Sequence, residues 1–400
     1  MLLFAVLFLM ALHPFQAEAS DIPDFIKVGL KYGNTAVSQC TIASTGGFLL
    51  GSVTDEKGFT EALPLPAYTE LTALAVGGHV ELRDSAGVLI SADIGINGCL
   101  MPYETGKQSF LTLDGQSYRG GFLLKANGGN TITVINYLAM DEYLYGVIHK
   151  EMSMNSPLEA LKAQAVAART FVVGNRDRHS SDGFHVCATT HCQVYGGVGD
   201  EYAITNKAVD ETSGVIIRYQ NEAAEIYYHK NSGGHTQNSE DEWSTRTPYL
   251  RGVADPYSPE HPWQAVIGFD SLRQKLIQAQ MDPGAVESVW IGDYDGSGAV
   301  SSLVIQGEEK QVDLTKSRIR AVLGSSLVRS RHFSIGTAYE GGNQPVSGAK
   351  LTLLSADGKK TMTDSDAVHV LPTDGKSQKA SLTSLSMTNG NTTVKAVAPG

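Results

Sequence analysis

The sequence predicts an α+β protein, a β-rich body with one central alanine-rich helix. Three observations carry this. Residues 24–125 alternate apolar and polar with Gly, Asp and Asn between the runs, the period-2 pattern of half-buried strands. Residues 141–175 change to the 3.6-residue period of a helix. Residues 337–400 are Ser-, Thr-, Gly- and Lys-rich, with no aromatic residue after Tyr339 and no arginine after Arg331. The 42% hydrophobic and 18% charged content over 400 residues excludes a wholly disordered chain and allows two or three domains. The net charge of −11 argues against a nucleic-acid partner, since phosphate binding needs clustered Lys and Arg.

Each element follows in order. Met1 to Leu12 is an apolar run too short to span a bilayer comfortably, followed by Pro14 and the small-x-small pattern Ala17-Glu18-Ala19. Residues 1–19 therefore read as a secretory signal peptide, although no Lys or Arg precedes the run. Residues 20–125 form the N-terminal β-rich region, with strands at Phe25–Leu30, His79–Arg83 and Gly121–Leu124. Residues 126–336 form the core. In it, Thr131–Ile135 is a strand and Asp141 caps a short helix through Val147. Ser156-Pro157-Leu158-Glu159 opens a second helix, with Ser156 as cap, Pro157 in the first turn and Glu159 closing a capping box. That helix stops near Gly174. Gly214–Tyr219 and Glu225–Tyr228 read as strands and Ser271–Met281 as a helix. Asp293–Gly298 resembles the start of a calcium loop, but its twelfth position is Val304 rather than Glu, so it reads as a hairpin turn. Residues 337–400 read as a polar β module or insertion.

Three segments carry chemistry. In YLYGVIHKEM, Glu151 stands where a helix meets a loop between apolar stretches. A carboxylic acid among apolar groups binds its proton more tightly and can serve as a general acid near neutral pH. In Cys187-Ala-Thr-Thr-His191-Cys192, three zinc-type donors fall within six residues, with His185 as a further candidate; a Cys187–Cys192 disulfide is the alternative. A second bridge, Cys40 to Cys99, is plausible in an oxidising compartment. In YYHKNSGGHT, aromatics interleave with Asn, Ser and His in a glycine turn, the mixture that suits a sugar. A serine hydrolase built on Ser232 with His229 or His235 lacks the G-x-S-x-G elbow. A cysteine hydrolase built on adjacent Cys and His residues is equally weak, because such pairs usually come from distant segments.

Taken together, YLYGVIHKEM, PLEALKAQAVAARTF, HCQVYGG and YYHKNSGGHT with the later PYL resemble, in order, the SpoIID/LytB family of stage II sporulation protein D-like lytic transglycosylases and amidase enhancers. The resemblance covers roughly residues 115–335. It implies a helix beneath a substrate groove and an extracytoplasmic, cell-wall-associated lytic transglycosylase, with sporulation as one setting. Glu151 matches the catalytic glutamate that cleaves the MurNAc–GlcNAc bond to a 1,6-anhydro end. Gln193, Tyr195, His229, Ser232 and Gly234 match groove positions that orient the glycan. Cys187, His191 and Cys192 match a segment where some members hold structural zinc. The implied partners are peptidoglycan strands and, on the alternative reading, a cell-wall amidase that a non-catalytic enhancer would bind and stimulate. Two features depart from the pattern: no GHG-x-GMSQ-x-GA segment follows, and Lys230 stands where a small polar residue is common.

Overall fold

A computed structural model describes residues 22–336, apart from 55–57, 105–108 and 244, together with six short strands between 351 and 395. The expected signal peptide at 1–19 lies outside the described residues. The chain divides into two compact units, one ending at Lys230 and the other beginning at Asn231. The division falls inside the expected 126–336 core. The N-terminal strands share a single hydrophobic interior with the helices that follow them.

The strands before the first helix are β1 (Phe25–Lys31), β2 (Gln39–Ser44), β3 (Phe48–Thr54), β4 (Gly58–Leu65), β5 (Glu70–Val76), β6 (His79–Asp84), β7 (Leu89–Ser91), β8 (Gly98–Pro102), β9 (Leu111–Leu113), β10 (Gln116–Tyr118), β11 (Gly121–Asn127) and β12 (Thr131–Ala139). Helices α1 (Met140–Glu151) and α2 (Leu158–Gly174) follow, then β13 (Val186–Cys187), α3 (Ala203–Asp210) and the two-residue pair β14 (Arg218–Tyr219) and β15 (Glu222–Ala223). One sheet runs β13-β1-β12-β11-β8-β3-β4 and a second runs β10-β9-β2-β5-β6-β7. Pairing is antiparallel except where β13 lies parallel to β1.

Alternation along β11 and β12 sorts side chains between two interiors. Phe122, Leu124, Ile132 and Val134 enter the main core with Ile42, Leu71 and Leu82 of the second sheet and with Leu144, Val147, Leu161, Ala165 and Ala168 of α1 and α2. Leu123, Ile135 and Tyr137 point the other way and pack with Val53, Cys99, Phe184 and Cys187. Cys40 belongs to the first interior and Cys99 to the second, so the expected bridge between them is not formed. Gly29 of β1 lets the Phe184 ring approach the strand closely, because an added Cβ would fall 2.4 Å from the ring.

Helix starts differ from the sequence expectation. Helix α1 begins one residue before Asp141, with Ala139 at its N-cap, and it continues to Glu151. Asp141 is instead turned to Arg169, whose side chain is fully buried: Nη2 lies 2.9 Å from Asp141 Oδ1, and the guanidinium also donates to the carbonyls of Val209 and Val215. That ion pair explains why a charged residue tolerates the interior of an alanine-rich helix. Helix α2 has Pro157 at its N-cap with no side-chain cap, Ser156 being used in a turn to Ser153, and Gly174 is its last residue. The strand expected at 214–219 shrinks to β14, which pairs with β15 just outside the expected segments, and residues 225–228, expected as a strand, are irregular.

The second unit holds α4 (Ser239–Glu242), α5 (Phe269–Gln278), the antiparallel strands β16 (Val286–Tyr294), β17 (Val300–Gly307) and β18 (Gln311–Thr315), and α6 (Ser317–Leu323). Leu272, Leu276, Leu303, Ile305, Leu314 and Ile319 form its core. The β16–β17 turn is the expected hairpin. Asp295 Oδ1 accepts the N–H groups of Ser297 and Ala299, at 2.9 and 3.1 Å. Beyond 350, strands β19 (Leu351–Ser355) and β20 (Gly358–Met362), β21 (Ala367–Val370) and β22 (Gln378–Ser381), and β23 (Ser386–Thr388) and β24 (Thr393–Lys395) pair as antiparallel hairpins. Among the described residues no helix is long and apolar enough to cross a membrane.

Candidate active site and metal cluster

Glu151 is the last residue of α1 and is half-buried. The helix is held in place by a close approach at its middle. Gly146 meets Tyr195 so tightly that an added Cβ would lie 2.6 Å from the ring, and Gly196 N–H donates to the Gly146 carbonyl at 3.1 Å. The irregular segment 193–196 therefore runs alongside the C-terminal half of α1. It brings the Val194 N–H to the Glu151 carboxylate, and the Tyr228 hydroxyl reaches the same carboxylate from the irregular stretch after β15. Burial raises the proton affinity of Glu151 above the ordinary glutamate range, and the two hydrogen bonds offset only part of that rise. Burial also pushes the Tyr228 hydroxyl up to about 12, so it is a neutral donor at any physiological pH. Lys150, the adjacent cation, is turned away to Asp200 at 2.8 Å.

Two residues expected to contact the glycan face inward. Gln193 is 1% exposed and Tyr195 6%. Tyr195 Oη donates to Asn136 Oδ1 at 2.8 Å, while Asn136 Nδ2 donates to the carbonyls of Arg119 and Gly121. Gln193 bonds Tyr143, Tyr228 and the Ala168 carbonyl. Both brace the site from behind, because their polar atoms are already used inside the unit. His229 is exposed on the same stretch as Tyr228. Ser232 and Gly234 belong to the second unit. There Ser232 Oγ donates to Asp255 Oδ2 at 2.7 Å and Gly234 holds a left-handed φ of 97°. Gly234 N–H donates to Ser232 Oγ, and its carbonyl accepts from Asp255 N–H at 2.9 Å, which fixes a tight polar turn.

The second cluster stands on the outer face of the larger sheet. Cys187, His191 and Cys192 converge as their spacing predicts, and the fourth member is His179, not His185. His185 Nδ1 instead accepts the Lys27 N–H, at 3.2 Å. The four donor atoms lie within 4.8 Å of one another. His191 Nδ1 is 3.2 Å from His179 Nε2, 3.7 Å from Cys187 Sγ and 3.6 Å from Cys192 Sγ. Bonds of about 2.0–2.3 Å in a tetrahedral zinc site leave ligand atoms roughly 3.3–3.8 Å apart, so spacing and donor types both suit such an ion. His179 Nδ1 lies 3.0 Å from Asp182, the carboxylate–histidine arrangement that orients a ligating imidazole. The His179 ring stacks on Phe184 at 4.6 Å. Burial pushes the Cys187 thiol up, but hydrogen bonds from Thr189, Tyr32 and His191 outweigh it and bring the thiol down to about 6. Burial dominates at Cys192, which rises to about 11. The two cysteines are not bridged. The cluster could hold a metal ion.

Sequence reasoning passed over His179 and Tyr228. The His179-x-x-Asp182 spacing was a usable signal for the first. Nothing local marked Tyr228 rather than Tyr227 as the partner of Glu151.

The segments that build this site fall in a part of the chain with known relatives in sequence. Residues 128–219 match the family model of the stage II sporulation protein SpoIID. An uncharacterized protein of Brachyspira hyodysenteriae is 32% identical over 274 residues, covering 68% of this chain and 71% of its own length. The amidase enhancer of Bacillus subtilis is 30% identical over 247 residues, 61% of this chain and 34% of its own. The stage II sporulation protein D of Bacillus amyloliquefaciens is 36% identical over 197 residues, 44% of this chain and 57% of its own. The chain therefore spans about a third to somewhat over half the length of these last two relatives. It belongs to the SpoIID/LytB family.

Proposed function

We propose that the chain is an extracytoplasmic peptidoglycan lytic transglycosylase with Glu151 as its acid and base. The observation that supports this most directly is the Glu151 carboxyl itself: half-buried, raised in proton affinity, and held by the Val194 N–H and by Tyr228, whose neighbour His229 is exposed. In this reading protonated Glu151 donates to the glycosidic oxygen as the bond to the muramic anomeric carbon breaks. The resulting carboxylate then takes the proton of the sugar's own 6-hydroxyl as that oxygen bonds to the same carbon. The products are a 1,6-anhydro end and a free 4-hydroxyl, with Glu151 protonated again. No water is consumed, so one carboxylate serves both half-steps. The Val194 N–H and the Tyr228 hydroxyl hold the carboxylate between the two transfers. His179, Cys187, His191 and Cys192 would hold a zinc ion in a structural role, pinning the 179–192 segment that leads into Gln193 and Val194.

The test is a digest of peptide-free glycan strands read by mass spectrometry. Wild type is expected to give 1,6-anhydromuramic ends, and Glu151→Gln to lose about 10²-fold or more of the rate. Turnover retained in the variant ends the assignment. The likeness to an amidase enhancer supports a second reading, in which the chain binds a cell-wall amidase and stimulates it. That reading predicts amidase stimulation indifferent to Glu151→Gln and no anhydro product from this chain alone.

A further inference from the structure

We propose that Gln193 is a positioning residue that fixes the direction of the Tyr228 hydroxyl bond, so that the phenol always donates to Glu151. The proposal rests on Glu151 being the functional carboxyl. Its argument is hydrogen-bond bookkeeping within one buried chain of groups.

Gln193 Nε2 lies 3.4 Å from the Ala168 carbonyl of α2. A carbonyl only accepts, so the atom facing it is the amide NH₂, which settles the orientation of the side chain. Oε1 then faces Tyr143, whose hydroxyl donates to it at 3.1 Å. The remaining Gln193 N–H points at Tyr228 Oη, 3.0 Å away. Tyr228 carries one proton. With its oxygen accepting from Gln193, that proton is left for the Glu151 carboxylate. Tyr143 is fully buried and Gln193 nearly so, and water therefore does not compete for either group. The Ala168 carbonyl sets the orientation of Gln193, Gln193 sets that of Tyr228, and the phenol proton is left for Glu151.

Few other groups act on this chain. The segment 192–195 contributes the Val194 N–H to Glu151 and the Cys192 thiol to Tyr143; Cys187, Tyr195 and Tyr228 also bear on Tyr143. Helix α2 contributes the Ala168 carbonyl, and Lys150 of α1 is engaged by Asp200. Tyr228 is acted on by Gln193 and by Glu151, and Glu151 by the Val194 N–H and Tyr228. Loss of the chain has a signed consequence. A carboxylate that loses a donor holds its proton more tightly, whereas a carboxylate exposed to water by loosened packing holds it less tightly. Positioning and mere packing therefore predict opposite shifts.

The experiment is a ¹³C NMR titration of glutamate side-chain carboxyls in the full chain without glycan, with the Glu151 resonance assigned from Glu151→Gln. Tyr228→Phe removes the donor and is expected to raise the proton affinity of Glu151 about threefold to tenfold. Gln193→Glu replaces the N–H facing Tyr228 with an acceptor, so the phenol turns away from Glu151 and a rise at least as large is expected. Gln193→Met, similar in volume and without a donor, carries the test if the buried carboxylate prevents folding; a smaller rise is expected. Proton affinity that is unchanged or lowered in folded Gln193 variants overturns the proposal and leaves Gln193 a packing residue. Because the titration needs no substrate, it stands or falls separately from cleavage. Where cleavage is observed, the alkaline limb of its pH profile should move upward with the titration.

Discussion

Helices α1 and α2 and the segment 179–196 are neighbours in one unit, and they are held by opposite means. The helices bury Leu144, Val147, Leu161, Ala165 and Ala168 and need one internal ion pair, Arg169 with Asp141. The 179–196 segment has two residues of strand, at Val186–Cys187, and relies on side-chain hydrogen bonds: His179 with Asp182, Thr189 with Cys187, Tyr195 donating to Asn136, and Gln193 accepting from Tyr143 and donating to Tyr228. Apolar packing tolerates small errors in position, because it is nondirectional. Hydrogen bonds and metal ligands do not, because their geometry is directional. Glu151 is carried by the first kind of structure and tuned by the second.

The largest effect separating the two regions should come from Arg169→Ala. It leaves Asp141 with Ser213 as partner and strands the carbonyls of Val209 and Val215, and loss of one partner of a buried pair costs up to about 3–5 kcal/mol. Chemical denaturation should show the whole first unit destabilised; a change below about 1 kcal/mol would mean that water replaces the guanidinium freely. Removing metal from zinc-loaded protein with a chelator should act more locally. Limited proteolysis is expected to open the 179–196 segment, with a loss of about 1–3 kcal/mol in overall stability, the mass-action value of a ligand near 10–100 times its Kd. His179→Ala should reproduce this, and His185→Ala should not.

The smallest effect concerns Glu151. Its folded carboxyl binds protons more tightly than the unfolded one, so the unfolded state holds fewer protons between the two pKa values and stability falls as pH rises through that interval. Glu151→Gln removes this loss. The variant is therefore expected to melt slightly above wild type at neutral pH, by less than about 1 kcal/mol given solvent screening at a half-exposed site. The difference should vanish below the unfolded carboxylate range. A variant less stable than wild type at pH 7 would mean that the Tyr228 and Val194 bonds outweigh the burial of charge.

Several features of this arrangement were legible in the chain. Strand alternation located β1, β6, β11 and β12, the alanine run located α2, and the YLYGVIHKEM segment located Glu151 at a helix end. Cys187, His191 and Cys192 announced themselves by spacing. These are short-range signals: a period of 2 or 3.6, or donors within one turn of each other. What the sequence left open depends on contacts between distant residues. Whether Asp141 caps a helix or meets Arg169 is decided by the packing of α2 against α1. Whether His179 or His185 completes the cluster is decided by which imidazole β1 has already engaged through Lys27. Gln193 faces inward because Tyr143, Ala168 and Tyr228 surround it, and Cys40 and Cys99 are kept apart because alternation puts them in different interiors. The sequence by itself determined which elements form and which carboxylate ends the helix. The tertiary structure alone decided which partners each polar group finds, since a hydrogen bond requires both ends to be in place and one end is often more than thirty residues away.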